Sequence, residues 1–478
     1  MNLKGFLTIT LLLFFTPQIS FSQGFPGIRT SNFNGLENII LNPASAVNLK
    51  TYCNINILSS SIHFNNNFLY IPKEDFSFFQ YLAGNFNRYN SSSVFPEGKP
   101  FLDKTVNKTP LVFGQAYIMG PSVQFSIKRH SFTAFSAVKG AVYSDLPYNL
   151  LKFAVEGTEY NALYGGGKVF PDFNSGALMW SEIGLGYGRL IETARNINWQ
   201  VGMNVKLLAG QYGAFYENYE SNYSIDSTAF LLASNIDMMY GYTPNPKMTY
   251  PYGYGLGFDF GVQYIQRYHG RPAEYYTSLS NQTFNDYLFK IGLSLVDVGG
   301  INFQYGTSLF KIKSDSTFTV DDFREFQYYS LDSLNYYLYD KIVGSIPENY
   351  NNGNFRYSLP TRLSLQLDYH IYKQFYINAV LTTGLYTKNS HINTPTQLSF
   401  CPRYETKDLE IWLPTTINSY SNFQIGIAVR YKYLIIGTEK IVDYLGMYNF
   451  KGWNFFMSLS IPFVIDQFQD QRSKIPRF

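Results

Sequence analysis

Between residues 422 and 432 every second side chain is apolar: Phe423, Ile425, Ile427, Val429 and Tyr431 fall on one face of an extended chain, and Gln424, Gly426, Ala428, Arg430 and Lys432 on the other. The same period of two sets Leu363, Leu365, Leu367, Tyr369 and Ile371 against Arg362, Ser364, Gln366, Asp368 and His370. It recurs in Trp199, Val201, Met203, Val205 and Leu207, and in Trp453, Phe455, Met457, Leu459 and Ile461. One face suits hydrocarbon and the other suits water. Past residue 22 there is no continuous apolar stretch of about 18 residues, so no helix of this chain can span a membrane. Strands can do so only as a closed barrel, because every backbone polar group in lipid must find a partner within the protein.

A soluble β-sandwich alternates as well, so the flanks of the segments have to decide. Aromatic side chains gather there, as in Tyr369, Tyr372, Tyr431, Tyr433 and Trp453, where a barrel carries its interfacial girdles. The chain holds 42 Tyr and 42 Phe among 478 residues but only 15% charged residues, an aromatic-rich and charge-poor balance for a soluble protein. Net charge is +3, which gives no electrostatic case for nucleic acid as a partner.

The first residues read as a leader. Lys4 is followed by the apolar run Phe6 to Phe15, Pro17 breaks it, and Ser20-Phe21-Ser22 offers small residues for cleavage before Gln23. The expected organisation is a signal peptide over 1–22, an N-terminal hatch or plug over 23–50, an outer-membrane β-barrel over 51–463 and a polar periplasmic tail over 464–478. Strands are expected at about 51–71, 111–128, 131–144, 178–190, 197–215, 253–267, 286–304, 359–371, 374–387, 395–405, 408–418, 421–431, 433–440 and 453–463, which is about 14 strands. That count puts the shortest turns, such as Arg129-His130 and Tyr372-Lys373, on one side. The long connections near 72–110, 145–177, 216–252 and 305–358 then share the other. A further strand near 226–240 would mix long and short connections on one side, so it is not counted. The 305–358 connection carries helical spacing in Leu334, Tyr337, Leu338 and Ile342, read either as a cap over the barrel mouth or as a solvated loop.

The polar faces name the lumen. Glu182, Lys206, Asp259, Lys290, Arg362, Asp368, His370 and Arg430 are expected to point inward, with two glycine rows, Gly184, Gly186, Gly188 and Gly253, Gly255, Gly257. Glycine on an inward face admits a resident plug or a ligand passage close to the wall, or serves strand curvature. The string "GYGLG" lacks the following helix of a dinucleotide loop. No G-x-S-x-G elbow is present, and the five histidines lack metal-ligand spacing, so no enzyme, metal or cofactor is implied. Cys53 and Cys401 either pair or stand as isolated strand residues.

Just after the leader comes "IILNPASAV", residues 39–47. Asn before Pro is pushed away from helix, its side chain can cap the next amides, and Pro43 suits a first helical position. This segment, with the strings "VKLLAGQYGAF" (205–215), "KIGLSLVDVGGINF" (290–303), "LPTRLSLQLDYHIYKQFYINA" (359–379) and "LIIGTEKI" (434–441), resembles the FadL-type outer-membrane barrel superfamily, including PorV-like and uncharacterised Bacteroidota relatives. The resemblance implies an all-β transmembrane antiparallel barrel of about 14 strands in a Gram-negative outer membrane. It places the hatch motif Asn42, Pro43 and Ala44 inside the barrel, whereas an arm packed on the rim is the alternative. It implies either uptake of a hydrophobic or amphipathic small molecule, or a non-transporting subunit that docks an envelope protein partner. The charged lumen face is more polar than a dedicated fatty-acid passage would have. Outer-membrane lipid is a partner in both cases.

Overall fold

The computed structural model describes residues 27–70, 110–148, 168–170, 172–194, 196–225, 231–244, 250–268, 274–280, 282–315, 318–319, 331–344, 353–386, 389–418 and 423–466. The leader and most of the polar tail lie outside these residues.

Fourteen wall strands follow in chain order. They are β1 (Cys53–Asn66), β2 (Val112–Met119 continued by Ser122–Ile127), β3 (His130–Ser144), β4 (Phe173–Ala194), β5 (Ile197–Ile225), β6 (Gly253–Arg267) and β7 (Tyr287–Phe303). Then come β8 (Phe355–Ser358 continued by Arg362–Tyr372), β9 (Phe375–Gly384), β10 (Gln397–Glu405), β11 (Leu409–Trp412 and Thr415–Asn418), β12 (Gln424–Ile425 and Ile427–Tyr431), β13 (Leu434–Thr438) and β14 (Asn454–Phe463). Each pairs antiparallel with the next, and β14 returns to β1 from Cys53↔Phe463 to His63↔Asn454, so the sheet has no free edge between first and last strand. Each strand of the sequence reading corresponds to one of these. The two-residue turns after β2, β8 and β12 begin with Lys128, Lys373 and Lys432 at φ 53°, 50° and 52°. A left-handed first residue lets so short a turn match the twist of its strands.

The alternation divides the wall as its chemistry requires. Outward residues such as Leu185 and Leu207 are 67% and 63% exposed, while their inward neighbours Lys206 and Asn204 are buried. Outward rings meet at the short-turn end: Trp199 with Tyr264 (5.2 Å), Tyr264 with Phe289 (6.0 Å) and Phe375 with Tyr404 (5.1 Å). An apolar band bounded by aromatic rings is the surface of an outer-membrane barrel.

β4 and β5 run longer than the sequence pattern indicates. β5 leaves β6 after Gly210 and from Ala214 pairs instead with the strand Leu231–Tyr242, which pairs in turn with Ser308–Ser314, while β4 follows β5 as far as Asn218. The segment near 226–240 is therefore a strand, but one of an external sheet outside the barrel. A helix, Leu331–Leu338, follows in the same connection. Next to it Tyr339 packs with Phe310, Ile312, Ile236 and Met238, so this turn covers the face of the external sheet. Cys53 and Cys401 are both free thiols, and the pairing considered from sequence is absent.

Candidate functional site

Residues 27–50 lie among the inward side chains of the wall. Helix α1 (Gly35–Leu41) is followed by Asn42 in an extended conformation (φ −151°, ψ 112°), whose side-chain Oδ1 accepts the Ala44 N–H at 2.9 Å and starts the 3-10 turn Pro43–Ala46. Ile39, Leu36 and Ala46 pack on Tyr117, Met119 and Phe135 of β2 and β3. On other sides the wall donates to the segment's backbone: Gln124 to Ala46 O (3.1 Å), Gln200 to Val47 O (3.0 Å) and Ser294 to Leu41 O (2.6 Å). The Asn42 amide donates to Gln366 Oε1 at 2.7 Å, and Asn378 of β9 donates to Gly27 O at 3.0 Å. A segment bonded to inward faces of β2, β5, β7, β8 and β9 of a closed barrel sits in its lumen.

Strand register explains the seat. Gly188 of β4 pairs with Gly202 of β5, which pairs with Gly261 of β6, so three adjacent strands present one rung without side chains. A Cβ on Gly188 would stand 2.6 Å from Val47 Cγ2, and one on Gly202 or Gly261 would collide with Pro43 and Ala44 or with Asn42. The other glycines of the two rows named from sequence serve the wall itself. Gly184 and Gly257 flank Lys206 in register and clear space for Phe135 and for the lysine, and Gly186 lies against Asn204. Gly253 and Gly255 approach the β7 backbone at Asn302 and Gly300, which is the curvature reading.

Beside this seat six consecutive strands contribute one charge each: Lys139, Glu182, Lys206, Asp259, Asp297 and Arg362, all buried. Asp297 is the hub. It sits at a register shift between Leu295 and Val298 with φ 57°, so the β7 backbone bulges and aims its carboxylate into the lumen. There it meets Lys139 at 3.1 Å, Lys206 at 2.6 Å and Arg362 at 3.1 Å. Lys206 also reaches Asp259 at 2.6 Å, and Lys139 reaches Glu182 at 2.9 Å. Three cations face three anions. The sequence strings at 205–215, 290–303 and 359–379 thus meet at Lys206, Asp297 and Arg362.

A second charged group holds the other end of the segment. Glu405 accepts Lys50 Nζ at 2.9 Å and the Asn32 side-chain amide at 3.0 Å, Glu410 accepts Ser31 Oγ at 3.0 Å, and Arg403 Nη1 donates to Thr30 O at 2.9 Å. Lys290 lies 3.5 Å from Asp368 and donates to Asn32, and Arg430 pairs with Glu410 at 2.8 Å while its guanidinium lies over Phe33. The Lys50 ammonium also stands 5.3–5.7 Å from the ring centroids of Phe33, Tyr275, Phe284 and Tyr376. His370 stacks on Tyr376 at 4.3 Å and donates to or accepts from neighbouring groups at the short-turn end, 3.2 Å from Asp286.

Toward the long-connection end the lumen becomes apolar, with Trp180, Leu178, Leu208, Phe303, Tyr357 and Leu359 in one buried cluster. Between the N-terminal segment and the wall, bounded by Ser45, Gln200, Gln263, Lys290, Gln366 and Asp368 among others, a cavity of about 20 Å³ remains, room for a water molecule but not for a ligand. Among the described residues no group of three metal-ligating side chains occurs.

Of the ionisable residues assigned to the lumen from sequence, Glu182, Lys206, Asp259, Arg362, Asp368, His370 and Arg430 are buried and Lys290 lies beside Asp368. Sequence reasoning passed over Lys139, Asp297, Arg403, Glu405 and Glu410; it put Gly202 and Gly261 on the polar faces of their strands but not in one rung with Gly188. Arg403 and Glu405 share an alternating face with Ser399 and Cys401 and were open to detection. Asp297 was not, because the bulge interrupts the period.

A family model covers residues 43–439. The chain belongs to DUF5723, a family of unknown function. No curated protein matches. Among solved structures it is similar to the toluene transporter TodX of Pseudomonas putida at 9% identity, covering 93% of this chain and 98% of that one with a TM-score of 0.39. A FadL homologue of Pseudomonas aeruginosa is also 9% identical, with 89% and 94% covered and a TM-score of 0.40. A mutant TodX monoaromatic hydrocarbon channel gives 9%, 91%, 98% and 0.43.

Proposed function

We propose that this DUF5723 protein passes a hydrophobic or amphipathic small molecule across the outer membrane and that residues 27–50 are its hatch. The observation that carries this reading is the character of the hatch's bed. Pro43 and Val47 rest on a glycine rung, and much of the grip comes from hydrogen bonds of Gln124, Gln200, Gln366, Glu405 and Glu410. Water can replace each of these at a net cost of about 1 kcal/mol for a neutral pair and about 2 kcal/mol for one to a carboxylate, so the hydrogen-bonded side of the hatch can part from the wall while Leu36, Ile39 and Ala46 stay packed on Tyr117, Met119 and Phe135. The water-sized cavity already lies in that interface. An apolar stretch of lumen above and a displaceable polar hatch below support the passage of a hydrophobic solute.

The second reading, a non-transporting barrel that docks an envelope partner, is favoured by the Asp297 network. It is bonded within the wall, so hatch movement alone leaves it in place. The two separate in an uptake assay with Val47→Cys/Gly188→Cys in a background of Cys53→Ser and Cys401→Ala. Cells are given labelled toluene and labelled oleate in turn. Passage predicts uptake above that of cells without the protein, lost when the disulfide is closed and restored on reduction. Uptake that equals the empty-cell level for both solutes, or ignores the disulfide, sinks the passage reading.

A further inference from the structure

The wall is thinnest in pairing where β13 meets β14. β13 has five residues, β12 is interrupted at Gly426 and β11 at Leu413–Pro414, and β13 meets β14 over only four registered pairs, Leu434↔Leu459 to Gly437↔Phe456. After Thr438 the chain leaves the wall for the short helical turn Ile441–Tyr444. A notch opens on the outer side. It is an apolar groove of about 380 Å³ between Ile427 and Val429 on one flank and Trp453 and Phe455 on the other, with Ile436 at its floor and Tyr444 at its upper end.

We propose that this groove binds one acyl chain of an outer-leaflet lipid. The groove continues the lipid-facing band, since Ile427, Ile436 and Phe455 are outward residues of β12, β13 and β14. The bilayer itself is therefore what lies against it. The backbone at the notch is finished for hydrocarbon. Where a neighbouring strand is missing, the Tyr444 hydroxyl accepts the Asn454 N–H at 2.9 Å and donates to the Asn454 carbonyl at 2.8 Å, and Thr438 Oγ1 donates to the same carbonyl at 2.7 Å. Polar groups satisfied in this way leave no reason for water to enter. Behind the groove Ala428, Ile435 and Phe456 are buried with Trp412 and Cys401, so it is a blind site and not a portal. An unfilled groove would forfeit dispersion contacts along its lining, and a flexible chain from the adjacent leaflet restores them. Trp453, edge-on to Phe450 at 4.8 Å, stands at the rim where an amphipathic ring favours the headgroup level.

The test is native mass spectrometry of the detergent-purified full chain, stripped of lipid and then titrated with hexa-acylated lipid A, the outer-leaflet lipid of an outer membrane. The expected result is a retained one-to-one complex whose population falls by about fivefold in Ile427→Trp, the factor that roughly 1 kcal/mol of lost packing carries. Val429→Trp, on the same flank, gives the same loss. Leu185→Trp, on the distant outer face of β4, leaves retention unchanged, and all three keep heat-modifiable migration. Absence of a retained lipid in the parent chain, a graded series with no preferred stoichiometry, or equal retention in Ile427→Trp, Val429→Trp and Leu185→Trp would overturn the proposal.

Discussion

Asp297→Asn removes one negative charge from the lumen and almost nothing else. The amide is isosteric, and Asn is among the few residues that tolerate the left-handed backbone, so φ 57° at this bulge is kept. The loss falls on Lys139, Lys206 and Arg362, which are held 3.1, 2.6 and 3.1 Å from the Asp297 carboxylate. Glu182 and Asp259 remain, so three buried cations face two anions and one positive charge is left uncompensated. Breaking a buried ion pair from one side costs about 3–5 kcal/mol, because the remaining charge stays out of water. Reversible folding into lipid vesicles, followed by tryptophan fluorescence against urea, should show a loss of that size. Adding Arg362→Met to Asp297→Asn restores neutrality while Lys139 keeps Glu182 and Lys206 keeps Asp259, and the pair should recover about 2 kcal/mol relative to Asp297→Asn alone. If Asp297→Asn folds within about 1 kcal/mol of the parent, the network is not the buried balance described and the reasoning fails.

Gly261→Val places a side chain where Asn42 lies. Hydrogen exchange should rise across residues 27–50 while the barrel keeps its heat-modifiable migration; unchanged protection of 27–50 would show that the seat is not as tight as its geometry. Lys440, in the connection after β13, donates to Asn65 at 3.1 Å, and burial pushes its pKa from 10.5 down to about 8. Between those two values the undocked segment binds a proton that the docked segment lacks, so docking tightens as pH rises from about 8 to 10.5 and is weakest below about 8. Amide exchange in residues 439–452, corrected for intrinsic rates, should slow across that window, and Lys440→Met should abolish the trend; a flat or opposite profile in the parent chain counts against it.

Much of the wall was legible because a strand in lipid has to alternate. The fourteen strands, the closing partnership of the first with the last and the inward position of Asp259, Asp368 and Arg430 all follow from a period of two and the parity of long and short turns. What was not legible depends on register. Gly188, Gly202 and Gly261 lie far apart in sequence and become one rung only when β4, β5 and β6 are aligned, and no local pattern carries that alignment. Lys139 was hidden for another reason: its strand has small apolar residues on both faces around it, in Ala137-Val138-Lys139-Gly140-Ala141. The strand Leu231–Tyr242 escaped because parity speaks only of strands that cross the membrane, and this one pairs above it.

The central claim is that residues 27–50 occupy the lumen of a closed barrel, and a cross-link tests it most directly. In the background of Cys53→Ser and Cys401→Ala, two pairs are made separately. Ser59→Cys/Ser458→Cys reports closure, since these hydroxyls are 2.7 Å apart across the β1–β14 seam. Val47→Cys/Gly188→Cys reports the seat, where a Gly188 Cβ would lie 2.6 Å from Val47 Cγ2, within the reach of a disulfide. Both disulfides should form in the folded protein in its membrane, each shifting migration on a non-reducing gel. A seam pair that closes while the Val47–Gly188 pair stays reduced would contradict the account and put the N-terminal segment outside the barrel.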